Sequence, residues 1–259
     1  MIDTGSDAGL ITPQAARGFG LMTGPNARIR LRGTGGDGRS AAVARVPGLA
    51  IGNLQLGDVP MPVGALPALP RLKPPVVGFL GGDVLSRFDL DIDVPGATFA
   101  LYDVSGVSLA CAARPEWPEP DDGFTTIPLD AYGARLSLAA TLDGHAIRAL
   151  LDTGSRSRIV SRASALRIGV TAMALDADPG GINSGVDMHE QVYHWHAFDS
   201  LTIGGETARS PVLTVAPLSE PFDMLLGTDW LQTREIWISY ATRQMFLRHR
   251  DRLVGPARQ

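Results

Sequence analysis

The feature that most constrains this chain is a duplication. Ile2-Asp3-Thr4-Gly5-Ser6, at the very start, returns as Leu151-Asp152-Thr153-Gly154-Ser155. In the second copy an apolar run, Ala149-Leu150-Leu151, delivers the aspartate to the end of a buried strand. There Thr153 can tie the turn down through its hydroxyl, and Gly154 lets backbone pass close to the acid. A single Asp-Thr-Gly-Ser is more often a plain turn. Two matched copies point instead to shared acid–base work, because neighbouring carboxyls cannot both stay charged.

The segments that follow each aspartate repeat as well. Thr12 and Ser161 both lie nine residues beyond their aspartate, and each reads as the N-cap of a short helix. Pro13 then takes the first helical position, with Gly18 and Gly20 closing the first helix and Gly169 the second. Ile29 to Leu31 alternates like a strand and runs into Gly33-Thr34-Gly35-Gly36-Asp37-Gly38, with more strand-like sequence to Ile51. That reads as a glycine-tipped hairpin. Gly180-Gly181-Ile182-Asn183-Ser184-Gly185 occupies the matching place in the second copy. Phe79-Leu80-Gly81-Gly82-Asp83-Val84-Leu85 then aligns with Leu225-Leu226-Gly227-Thr228-Asp229-Trp230-Leu231, and the alignment continues without a gap to Leu101 and Leu247. A repeat this regular predicts two copies of one folding unit. Between them the stretch from Cys111 to Gly123, with Pro115, Pro118 and Pro120, has the composition of a linker.

Composition narrows the function. The 259 residues suffice for two units of ordinary size. The balance of 23 basic and 27 acidic residues, with no basic cluster, argues against nucleic acid as a partner. No run approaches the roughly 18 apolar residues of a membrane span. A lone Cys111 leaves no intrachain disulfide and no multi-cysteine metal site.

Taken in order and found twice, apolar-Asp-Thr-Gly-Ser, the glycine-tipped hairpin, apolar-apolar-Gly-x-Asp-x-Leu and a final strand resemble the aspartic proteases. The closer likeness is to a tandem of two retropepsin-like lobes, since no tyrosine precedes either glycine-rich hairpin. The resemblance implies an all-β fold of two pseudo-symmetric β-barrel lobes with short helices and a catalytic cleft between them. Residues 1–110 would form the first lobe, 111–123 the linker, 124–250 the second lobe and 251–259 a tail. Asp3 and Asp152 would be the catalytic pair. Thr4 and Thr153 would interlock beneath them, Gly5 and Gly154 would allow close approach, and Ser6 and Ser155 would bind the outer carboxylate oxygens. Gly33, Gly35 and Gly36, with Gly181 and Gly185, would belong to flaps. Gly81 and Gly227 would lie beneath the active-site loops, with Asp83 and Asp229 structural. The implied activity is endopeptidase hydrolysis of extended polypeptide, with no cofactor and no metal, in a monomer whose own lobes pair.

Other readings of single features are weaker. Gly33 to Gly38 spells G-x-G-x-x-G, but Pro47-Gly48 interrupts the following segment too early for the helix that a dinucleotide site requires. His194 and His196 share one side of a strand and could join His189 on a metal, though histidines without a metal are the commoner case. Trp195 and Trp230 read as packing residues. The beginning departs from the family pattern, because Phe124 to Leu151 supplies strands joined by Asp143-Gly144 before Asp152, whereas two residues precede Asp3. The first lobe is therefore expected to have an unpaired edge and lower stability, and a non-catalytic binding or scaffold role is the alternative function. An upstream start with a signal peptide would make the protein exported or periplasmic; otherwise it is cytoplasmic.

Overall fold

The computed structural model describes residues 1–31, 38–66, 73–104, 117, 124–184, 190–219 and 221–249. In the first half, β1 (Leu10–Ile11) leads into α1 (Pro13–Gly18), whose Thr12 hydroxyl accepts from the Ala15 N–H at 3.3 Å. β2 (Thr23–Leu31), β3 (Arg39–Ile51) and β4 (Leu54–Pro62) form an antiparallel sheet in that order. β5 (Gly78–Phe79) pairs with β1, and α2 (Gly82–Leu85) then precedes β6 (Phe88–Asp93) and β7 (Thr98–Asp103).

The second half opens with β8 (Thr125–Pro128), β9 (Asp130–Tyr132), β10 (Arg135–Leu142) and β11 (His145–Leu151). Asp143 and Gly144 both take positive φ, 47° and 79°, the geometry of the tight hairpin turn that joins β10 to β11. β12 (Ile159–Ser161) runs into α3 (Arg162–Arg167), capped by Ser161 and stopped at Gly169 with φ 106°. α4 (Ala172–Ala177), capped by Thr171, has no counterpart among the described residues of the first half. β13 (Gly180–Ser184), β14 (Glu190–Ala197), β15 (Ser200–Ile203), β16 (Glu206–Arg209), β17 (Val212–Ala216) and β18 (Met224–Leu226) follow. α5 (Thr228–Leu231), β19 (Arg234–Ser239) and β20 (Gln244–His249) end the described chain.

The protein is thus an all-β fold of two pseudo-symmetric lobes with short helices. In the second lobe the strands run β13-β14-β17-β12-β18-β11-β10-β15-β16, with β9 beside β10. The parallel pairs β11–β18 and β12–β17 recur in the first lobe as single bridges, Ile2 to Leu80 and Ile11 to Val63. β3 does the work of β14 and β15 together, bending at register shifts near Leu49 where Gly48 has φ 60°. The Pro47-Gly48 break read from the sequence is this bend within a strand. β15 pairs with β10, while among the described residues the matching Leu49–Ile51 pairs only with β4.

The core runs through both halves. Leu85, Leu90, Leu138, Leu142, Leu175, Leu213, Met224 and Ile236 are fully buried in one continuous cluster, each burial worth roughly 1.5–3 kcal/mol. The lobes also share one sheet, ordered β7-β6-β19-β20-β8, in which Ile236 sits opposite Ile92. Alternation in β6 sends Phe88, Leu90 and Ile92 to the core and Asp89, Asp91 and Asp93 to the other face, yet Asp89 and Asp93 are buried too. Trp117 covers this face: its indole N–H donates to Asp91 at 3.1 Å, and the Arg248 guanidinium lies 4.5 Å from its ring centroid. Arg248 also pairs with the buried Glu235 at 2.7 Å.

Burial, with help from Glu235 and Asp93, pushes the Asp91 carboxyl up to about 6. A raised carboxyl favours folding when protonated, so this contribution is complete below the ordinary value of 3.8 and disappears as pH rises through about 6. The melting temperature should therefore rise as pH is lowered from 7 to 4. Asp91→Asn should remove roughly 2–5 °C of that rise. Scanning calorimetry at stepped pH checks this, and an unchanged slope in the variant would refute it.

Candidate active site

Asp3, next to the Ile2–Leu80 bridge, and Asp152, at the end of β11, come together against each other's loops, and both are buried. The backbone holds the two loops alike. The Asp3 N–H donates to the Leu80 carbonyl at 3.0 Å, and the Asp152 N–H to that of Leu226 at 3.1 Å. Each loop is then anchored to the short helix of its own lobe. Gly82 N donates to Ser6 O at 2.8 Å and Asp83 N to Asp7 O at 2.8 Å, matched by Thr228 N to Ser155 O at 2.9 Å and Asp229 N to Arg156 O at 3.1 Å. Gly81 is needed there, since a Cβ would fall 2.5 Å from the Ala8 carbonyl carbon, and Gly227 lies in the same way against Ser157.

Beneath the acids the threonines cross between lobes. Thr4 N donates to Thr153 Oγ1 and Thr153 N to Thr4 Oγ1, both at 3.1 Å. Their hydroxyls donate onward, Thr4 to Leu151 O at 2.9 Å and Thr153 to Ile2 O at 3.0 Å. These four bonds tie each loop to the strand beneath the other. The glycines cross as well. A Cβ on Gly5 would fall 2.5 Å from Asp152 Cγ, and one on Gly154 would fall 2.6 Å from Asp3 Cγ. Each aspartate is therefore packed by the opposite lobe.

The immediate shells differ. Asp3 Oδ1 accepts from Gly5 N at 3.0 Å and Oδ2 from the Ser6 hydroxyl at 2.8 Å. Asp152 Oδ1 accepts from Gly154 N and Ser155 N, both at 3.0 Å, but the Ser155 hydroxyl donates to Ser157 O at 2.8 Å. The expectation that both serine hydroxyls bind an outer carboxylate oxygen is corrected for Ser155, whose backbone does the work. Burial pushes the Asp3 carboxyl above the usual carboxylate range, while Ser6, Gly5 and the neighbouring Asp152 carboxyl favour its charged form. This is an arrangement that can hold one proton between two acids.

The aspartyl protease family matches residues 1–84 and 138–230, more than half of the chain. The chain belongs to that family. Among solved structures it is similar to a retropepsin-like aspartic protease from Rickettsia conorii, at 17% identity and a TM-score of 0.39, over 48% of this chain and 89% of that one. It is also similar to the retroviral protease-like domain of Ddi1 from Leishmania major, at 17% identity and a TM-score of 0.26, over 38% of this chain and 75% of that one. No curated protein matches the sequence.

Within this family member, Gly33, Gly35, Gly36 and Gly185 lie outside the described residues. Gly181 sits in β13 opposite Tyr193, and the strands flanking both glycine-rich stretches pair as hairpins, β2 with β3 and β13 with β14. Asp83 accepts from Gly9 N and Val84 N, both at 3.0 Å, and Asp229 pairs with Arg158 at 2.9 Å. His196 binds the Asp178 carboxylate at 2.6 Å, His194 lies 3.4 Å from the Asp178 carbonyl, and His189 is outside the described residues. Trp230 is buried as a packing residue, but Trp195 is nearly half exposed against Tyr193.

Two features near the site escaped the sequence reading. Tyr240 follows β19 and is largely buried, and its hydroxyl has no partner among the described residues. Burial and then the Asp3 charge hold its proton on. Arg135 crosses from the second lobe to Asp7 at 3.2 Å, with Ala134 N donating to the same carboxylate at 2.9 Å. Nothing in local pattern marks either one, since both depend on which strands end up adjacent.

Proposed function

We propose that this protein is an aspartic-type endopeptidase that cuts unstructured polypeptide, with apolar residues preferred beside the scissile bond. In this reading residues 1–110 and 124–250 act as lobes joined by the linker 111–123, so one chain holds a complete site. The hairpins bearing Gly33, Gly35, Gly36, Gly181 and Gly185 close over the substrate and pair with its backbone. The observation that carries the proposal is the meeting of two buried carboxyls on cross-locked, matching loops, each packed against the glycine of the opposite loop.

Two buried carboxyls this close share one proton, so one is protonated while the other is ionised. The ionised carboxylate takes a proton from a water between them as the water oxygen attacks the substrate carbonyl carbon, and the protonated carboxyl gives its proton to the carbonyl oxygen. The resulting diol collapses with return of a proton to the acid that gave one, and the other carboxyl passes the water's proton to the leaving nitrogen, giving an acid and an amine. Neither step calls for a metal or a covalent nucleophile.

Incubation with unfolded casein and with apolar-centred peptides, followed by mass spectrometry of the products, tests this. Cleavage between apolar residues is expected, undiminished by chelators or serine-directed reagents. Complete loss with a chelator would identify a metalloenzyme. Tight binding of peptides without any cleavage would identify a non-catalytic scaffold.

A further inference from the structure

The sheet of the second lobe has two unlike faces. Side chains alternate along β11, so Leu151 and Leu150 point opposite ways. Leu151 joins the continuous core with Met224, Val160 and Val215, whereas Leu150 clusters apart with Leu225 and the half-buried Ile159. Asp152, two residues beyond Leu150 and still bonded to the Leu226 carbonyl, falls on the side of Leu150.

Register carries that side outward strand by strand. Leu150 sits opposite Leu225, Leu225 opposite Ile159, Ile159 opposite Thr214, and Thr214 opposite Trp195 on β14. Ser157 of the active-site loop meets the same row, its Oγ 3.4 Å from Thr214 Oγ1. Trp195 therefore faces the side of Asp152, and so does Tyr193 two residues before it, the two rings meeting edge to face at 5.4 Å. A Cβ on Gly181 would fall 2.8 Å from Tyr193 Oη, so the tyrosine ring occupies the space that a side chain there would need. Trp195 ends the row 45% exposed.

The first lobe has no such pair. Its Ile11–Val63 bridge matches Val160 opposite Val215, and Val43 opposite Pro62 then matches Trp195 opposite Thr214. Val43 and Ala41 stand in the places of Trp195 and Tyr193. The two flanks of the aspartate pair are thus unlike, aromatic on one and small on the other.

We propose that Trp195 and Tyr193 are specificity determinants that anchor a large apolar side chain, aromatic above all, on the one flank of the substrate that crosses the second lobe. This deepens the peptidase reading and rests on it. β14 stands four strands from β11, at most about 19 Å away, and extended chain advances about 3.3 Å per residue, so the anchor falls within about six positions of the scissile bond. A ring laid against the exposed indole leaves water and gains an aromatic contact, which favours Phe over Ala by roughly five- to thirtyfold. The contact is apolar, so salt does not weaken it.

Peptide binding to the full-length Asp152→Asn variant, which leaves substrate uncut, is the test. Labelled peptides share one apolar centre and carry a single Phe or Ala at positions two to six on one flank or the other, with anisotropy read at low and high salt. Phe on a single flank should bind roughly five to thirty times tighter than Ala at both salt levels. Trp195→Ala should cut that preference below about twofold while the Ala peptide binds as before, Trp195→Phe should keep most of it, and Val43→Ala should leave it unchanged. No preference for Phe at any position, the same preference on both flanks, a preference that survives Trp195→Ala, or no binding of any peptide would overturn the proposal. Hydrolysis of the Ala peptide by the unaltered protein is scored separately. Its absence beside an intact preference that depends on Trp195 would sink the peptidase reading and keep the aromatic pair as the anchor of a binding cleft.

Discussion

Asp3→Asn, Asp152→Asn and the double variant are each expected to lower peptide hydrolysis by at least about a thousandfold, with little difference among them. The reason is that one proton and one water serve both carboxyls, so losing either partner removes the unit. Asparagine has the same shape and can still accept from Gly5 N or Gly154 N, which now bond the aspartates at 3.0 Å. The cross-lobe threonine bonds do not involve the carboxylates at all. Circular dichroism and the melting temperature should therefore change little while kcat collapses. Retention of most activity by Asp3→Asn would mean that the first loop is not part of the site.

The second large effect is steric. Gly5→Ala and Gly154→Ala each place a methyl carbon 2.5 or 2.6 Å from the carboxyl carbon of the opposite aspartate, far inside van der Waals contact. The loops can respond only by moving apart, which separates the two acids. A loss of about a hundredfold or more in kcat/KM is expected, together with about 1–3 kcal/mol of stability. Gly18→Ala is the matched control, because Gly18 ends α1 with nothing within 4 Å of its added methyl. It should be neutral or slightly stabilising. Wild-type kinetics in Gly5→Ala, compared with Gly18→Ala in the same assay, would show that the aspartates do not lie against the opposite loops.

Much of this was legible in the sequence because it is set locally. Thr12 and Ser161 cap their helices for the same stereochemical reason, and Asp143-Gly144 turns a hairpin because both residues accept positive φ. The aspartates, threonines and glycines were legible through their repetition. What the pattern did not carry was set by neighbours distant in sequence. Ser155 rotates away to the Ser157 carbonyl although Ser6, with the same local sequence, reaches Asp3. A hydroxyl takes whichever acceptor the surrounding backbone offers. The acids of β6 alternate as though facing solvent, yet Asp89 and Asp93 are buried, Asp89 beneath the Trp237 indole and Asp91 beside that of Trp117. The pairing of β6 with β19, which joins the halves, leaves no mark in either strand's own pattern.

The order of the shared sheet fixes how far the chain between β7 and β8 must reach. β7 and β8 stand at opposite edges, four strand spacings apart, so the chain between them spans about 19 Å sideways. Each neighbouring pair is antiparallel, so β7 ends at the end of the sheet opposite to where β8 begins, and the path is a diagonal of roughly 28 Å. Extended chain covers that in about eight or nine residues, and residues 104–124 provide far more. The surplus length carries little entropic penalty, since closure cost grows only slowly with loop length. The diagonal also brings Trp117 onto Asp91 of β6 and Arg248 of β20, one strand from each half. Trp117 thus fastens a strand of one half to a strand of the other beside the sheet they share, and the protein is expected to melt as one cooperative body although its sequence reads as two.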